Sequence, residues 1–103
     1  MIKVSVMYPS GEGSTFDMDY YLSQHLSLVR DTLGASLKGA TVDVGLGGAM
    51  PRSAAPYIAI GHLIFDSLEV YQAAFAAHGM RLLADIPNYT NTRPVMQASE
   101  MKV

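Results

Sequence analysis

The nine residues from Tyr57 to Phe65, YIAIGHLIF, are apolar on both sides when read as the two faces of a strand. Ile58, Ile60 and Ile64 share one side, and Tyr57, Leu63 and Phe65 the other. A strand that shows water one face carries polar residues there, so this stretch reads as a central strand covered from both directions. Just downstream, Asp66-Ser67-Leu68-Glu69 reads as a helix start, with Asp66 at the N-cap and Glu69 at N3 in a capping-box arrangement. Leu68, Tyr71, Phe75 and Leu82 give that helix its buried face up to about Ala84, and Pro87 stops it. Tyr89 to Gln97 reads as a last strand. Pro94 inside it has no N–H to donate, which assigns the strand to a sheet edge.

Upstream, GLGGAMPRSAAP is a long hairpin loop; its GxGG lacks the helix and the downstream acid that a dinucleotide motif needs. Lys38 to Gly47 reads as a strand with Val42, Val44 and Leu46 on one face. Before it, Phe16 to Leu33 reads as a helix in which Tyr21, Leu22, Leu26, Val29 and Leu33 form an apolar stripe, with His25 on its edge. Asp17 is its natural N-cap, Phe16 can staple onto Tyr21, and Gly34 ends it. Ile2 to Tyr8 alternates as a first strand, closed by Pro9 and followed by the loop SGEGST. The order is β-α-β-β-α-β, an α+β, ferredoxin-like unit: a four-stranded antiparallel sheet with both helices on one face.

Composition bounds the rest. At 103 residues the chain reads as one domain spanning 1–103. Half of it is hydrophobic and only 16% charged, a surplus of apolar surface for so small a domain. With the helices on one face, the isoleucines of Tyr57–Phe65 would stand bare on the other, a cost of a few kcal/mol at about 25 cal/mol per Å². A second copy stacking sheet on sheet removes it, so a homodimer is expected. Net charge is −2 with scattered cations, which gives no electrostatic footprint for nucleic acid or an acidic membrane. The chain has no Cys, so disulfides and thiolate chemistry are out, in keeping with a cytoplasmic location. No stretch approaches the roughly 20 apolar residues of a membrane span, and MIKVSVMYP has no signal-peptide character.

For chemistry, His25 is either a hydrogen-bonded core histidine or an acid/base group in a pocket. If Ala59 and Gly61 face the helices, they leave a hollow beneath the first helix. Val4, Val6, Tyr8, Tyr21, Leu28, Phe65 and Phe75 would line it with them, an apolar cavity suited to a small molecule. His62 has the opposite strand parity and reads as structural, facing away from the helices; His78 reads as surface. Three histidines so spaced make no zinc pattern, so no metal is expected.

Three segments carry a resemblance. FD-x-DYY-x3-H on the first helix, Y-x-A-x-GHL-x-FDS-x-E-x-Y-x3-F in the middle and ADIPNYTN-x-x-P near the end resemble the EthD-like proteins of the dimeric α/β-barrel superfamily, named after a protein of alkyl ether degradation. Ser27 departs from the pattern, where relatives commonly carry proline two residues after the histidine. The resemblance implies a homodimer whose sheets form a barrel, with a pocket in each subunit between sheet and helices. It implies chemistry of several kinds: cofactor-free monooxygenation, cyclisation, isomerisation, or heme-dependent reactions. Heme would need an axial ligand, for which His78 is the one candidate on the second helix, and the chain lacks Trp. No bound cofactor is therefore expected. The reading that results is an enzyme acting on a small apolar carbonyl or phenolic compound, with His25 moving a proton. The alternative is a binding or carrier module that assists a catabolic oxygenase system.

Overall fold

A computed structural model describes all residues, Met1–Val103. Its sheet has the order β2-β3-β1-β4, formed by β1 (Ile2–Pro9), β2 (Gly39–Val44), β3 (Tyr57–Phe65) and β4 (Val95–Glu100), every pair antiparallel. The two strands read as central are central. β1 pairs with β3 from Ile2 opposite Phe65 to Tyr8 opposite Ala59, and the register slips only at Pro9, the residue without an N–H. Alternation then sorts the side chains. Val4, Tyr8, Ala59, Leu63 and Phe65 are buried beneath the helices, while Lys3, Ser5, Met7, Ile58, Ile60, His62 and Ile64 occupy the open face.

The helical layer lies over one face only. The second helix, Leu68–Ala84, packs against the first, and Val4, Val29, Leu33, Leu63, Phe65 and Leu82 join in one core. Tyr8, Tyr21, Ala59 and Tyr89 form a second cluster at the other end of the sheet. No helix is long and apolar enough to cross a membrane.

Four sequence expectations shift. The second helix is capped by Ser67, whose hydroxyl accepts from the Val70 N–H at 3.2 Å; Asp66 instead lies 3.8 Å from Lys38 at the surface. With the cap at Ser67, Glu69 no longer stands at N3 and the capping box is not formed. Leu68 becomes the first helical residue, with no preceding turn for its side chain to lie over, and is 43% exposed. β2 ends at Val44, because the glycines beyond it offer no side chains to pack on β3, and Leu46 is 99% exposed. β4 begins at Val95, just past Pro94, and runs to Glu100. It is an edge strand as expected, but Tyr89 lies outside it, after the 3-10 turn Ile86–Asn88.

Candidate active site

The first helix is continuous but not uniform: Met18–Tyr20 is α-helical, Tyr21–His25 is a π turn, and Leu26–Leu33 is α-helical again. Asp17 caps it, its carboxylate accepting from the Tyr20 N–H at 3.0 Å, and Gly34 ends it at a positive φ of 53°. Four-residue spacing in an α-helix drifts by about 40° per step, so Tyr21, His25, Val29 and Leu33 would fan out and leave His25 near a margin. The π turn, closed by Leu26 N–H to the Tyr21 carbonyl, winds more loosely and removes part of that drift. All four residues are buried as a result. Leu22, expected on the stripe, is turned outward at 46% exposure.

His25 is thereby aimed between the sheet and the end of the second helix. Its Nδ1 lies 2.8 Å from Oδ2 of Asp85, with the two side chains 8% and 12% exposed. The Tyr20 hydroxyl and the Asn88 amide donate to the other carboxylate oxygen at 2.7 and 2.9 Å. Burial works against the Asp85 carboxylate, but the hydrogen bonds from Asn88, His25 and Tyr20 outweigh it and hold its carboxyl below the usual range. A carboxylate can only accept, so Nδ1 of His25 carries a proton and Nε2 is left to accept on the other side of the ring. Tyr89 approaches that nitrogen at a long 3.4 Å, and the Tyr89 and Tyr8 hydroxyls are 2.6 Å apart.

Tyr89 is fixed from outside the sheet. Its carbonyl accepts from the Asp17 N–H at 2.7 Å, Thr90 bridges Phe16, and the Asn91 side chain clamps Thr15 and Gly13. Tyr8, Phe16, Tyr21 and Tyr89 pack as an aromatic knot with ring centroids 5.1 to 5.8 Å apart. Burial pushes the Tyr8, Tyr21 and Tyr89 hydroxyls well above the ordinary phenol range, so all three are neutral at physiological pH. Gly61 makes room for this arrangement, since a Cβ there would collide with the Tyr21 hydroxyl.

Beneath the helices the side chains leave a narrow cavity of about 40 Å³ that opens to solvent. Val6, Tyr8, Thr41, Gly61, Leu63 and Met96 form its sheet side, and Tyr21, His25, Leu26 and Val29 come from the first helix. Phe75, Leu82, Leu83 and Ile86 close the rest. Of the residues proposed from sequence, His25, Val6, Tyr8, Tyr21, Gly61 and Phe75 meet here. Val4 and Phe65 do not: they are sealed in the main core, where Leu28 also packs, and Ala59 lies under the tyrosines. Nothing in the hydrophobic spacing separates such residues from cavity walls, because both sit on the same face. Asp85, Tyr89 and Tyr20 were not proposed as site residues, although all three stand in the segments that carry the family resemblance. One signal pointed to Asp85: a carboxylate at a helix C-terminus opposes the helix dipole and asks for another reason to be there. His78 is exposed, and His62 lies on the open face.

A four-stranded antiparallel sheet with both helices on one face defines an α+β fold of the ferredoxin-like type. The EthD domain matches residues 11–93, and the chain belongs to that family. It is similar to an EthD-like protein of Ralstonia eutropha JMP134 at 42% identity, over 99% of this chain and 92% of that one, with a TM-score of 0.93. An EthD family protein of Bacillus halodurans C-125 shares the fold at 19% identity and a TM-score of 0.75, over 98% of each chain. A protein of Arabidopsis thaliana shares it at 12% identity and a TM-score of 0.70, over 100% and 97% of the two chains. No curated protein matches the chain.

Proposed function

We propose that this protein is a small-molecule enzyme working without a resident cofactor, in which His25 removes a proton from carbon or oxygen of a small apolar carbonyl or phenolic compound. One observation carries the reading: Asp85 holds His25 Nδ1 at 2.8 Å and leaves Nε2 to accept, with only Tyr89 beside it at 3.4 Å, where His25 lines an apolar cavity. A base oriented in this way contributes about 10²–10⁴-fold to a rate. Isomerisation and ring closure need only that proton transfer. Oxidation would take molecular oxygen as co-substrate, turning a CH2 group into C=O and releasing water. We further propose that two copies pair through their open sheet faces, burying the isoleucines of β3, and that the protein acts in the cytoplasm.

The test uses benzoylacetone, whose central CH2 protons are acidic, in deuterium oxide. The protein should accelerate exchange of those protons, and His25→Ala should abolish the acceleration while benzoylacetone still binds. Binding without any acceleration by the wild-type chain would instead favour a carrier.

A further inference from the structure

The Nε2 lone pair of His25 has one neighbour, the Tyr89 hydroxyl at 3.4 Å. Tyr89 is only 3% exposed and does not line the cavity, whereas Tyr8 and Tyr21 do. A ligand in the cavity is therefore separated from that nitrogen by tyrosine hydroxyls.

Those hydroxyls point one way. Nε2 can only accept, so the single Tyr89 proton is turned toward it; the Tyr89 oxygen accepts from Tyr8 at 2.6 Å, and the Tyr8 oxygen accepts from the Tyr21 hydroxyl. At the near end the His25 Nδ1 proton goes to Asp85. The Tyr21 oxygen, standing over Gly61 on the cavity wall, is the one acceptor of the line that no donor occupies. Burial disfavours the charged form of all three phenols, so a proton entering at one end is not held as an ion partway; the hydroxyls shift their protons together.

On the reading of His25 as the base, we infer that Tyr21, Tyr8 and Tyr89 form a proton relay through which His25 acts on a substrate it does not touch. The substrate's C–H or O–H bond breaks, its electron pair stays on the substrate, and the proton passes to the Tyr21 oxygen. Tyr21 gives its own proton to Tyr8, Tyr8 to Tyr89, and Tyr89 to Nε2. Each hydroxyl is left neutral with its new proton on the cavity side, and His25 ends as an imidazolium against the Asp85 carboxylate. The same line run backwards returns a proton to the substrate, at the original atom or another. Its joint at Nε2 is long, as catalytic hydrogen bonds often are before a substrate is bound.

The test follows washout of deuterium from benzoylacetone labelled at its central carbon. In the wild type, run in mixtures of light and heavy water, the rate should fall along a bowed curve as the heavy fraction rises, because several hydroxyl protons move in one step. A rate indifferent to the mixture would mean that no hydroxyl proton moves, and would overturn the relay. Tyr89→Phe and Tyr21→Phe, which keep the packed rings, should each lose about tenfold or more of the acceleration. Benzoylacetone affinity should stay within about twofold, and the His25 nitrogen shifts should still place its proton on Nδ1. Full acceleration in either variant overturns the relay and leaves the base reading standing. A loss matched by lost binding would mark the tyrosines as wall only and overturn it as well. Acceleration retained in His25→Ala would overturn the base reading and the relay with it.

Discussion

The chain carries two histidine–aspartate pairs, one on each face of its sheet. His25 and Asp85 meet at 2.8 Å beneath the helices, with 8% and 12% of their side chains exposed; His62 and Asp43 meet at 3.1 Å on the open face, at 17% and 69%. On the open face Ser5 completes the line, its hydroxyl 3.0 Å from His62 Nδ1. The second constellation is the more familiar in outline, since serine, histidine and aspartate in a row suggest a nucleophile. It lies on a flat sheet whose backbone amides are engaged in the ladder, so nothing is left to form an oxyanion hole. The first pair has the cavity and the desolvation. What separates them is what surrounds them, and residue type alone would rank them the other way.

The largest contrast should appear in proton transfer. His25→Ala is expected to lose the whole acceleration of benzoylacetone exchange, about 10²–10⁴-fold, whereas His62→Ala should leave it within about twofold. A comparable loss in His62→Ala would place the chemistry on the wrong face. Next comes assembly, where the roles reverse. Ile60→Lys, in the middle of the open face, should convert a dimer of twice 11.1 kDa into a monomer in sedimentation, and Phe75→Leu on the cavity wall should not. The interface it breaks should bury at least about 1,000 Å² in total. A wild-type monomer at micromolar concentration would remove this half of the account.

Stability gives a smaller effect. Asp85→Asn takes the charge from a carboxylate that receives three hydrogen bonds and should cost about 1.5–3 kcal/mol in urea unfolding. Asp43→Asn, on an exposed pair, should cost no more than about 0.5 kcal/mol. The pH dependence follows with a definite sign. Because the folded Asp85 carboxyl is held below its ordinary 3.8, its contribution is complete above that pH and is lost as pH falls through the folded value. Asp85→Asn lacks that contribution from the start, so its stability should fall less steeply than the wild type's on the acid side. Equal slopes would show that the hydrogen bonds to Asp85 do not matter energetically.

Much of the fold was legible because it rests on alternation and capping. The two-sided apolar run at Tyr57–Phe65 marked the central strand to the residue, while the last strand lies at the edge as expected although Pro94 stands just before it and not inside it. Two local features escaped. Ser67 and Asp66 are both good caps, and only the path of the chain out of β3 chooses between them. The π turn leaves no trace in side-chain periodicity, yet it exchanges Leu22 for His25 on the buried face. The candidate site was half visible: His25 stood out as the one histidine on an apolar helix face, while Asp85 and Tyr89 are 60 and 64 residues away in sequence and are brought in by the turn after the second helix. Periodicity within a helix cannot see a partner supplied from another element.

The central claim is that Asp85 makes His25 a base by fixing its proton on Nδ1. Imidazole nitrogen chemical shifts of the unliganded protein at neutral pH report the tautomer directly. They should show His25 protonated at Nδ1 with a bare Nε2, and Asp85→Asn should mix the two tautomers. A proton found on Nε2 in the wild type would contradict the account, because no lone pair would then face the cavity.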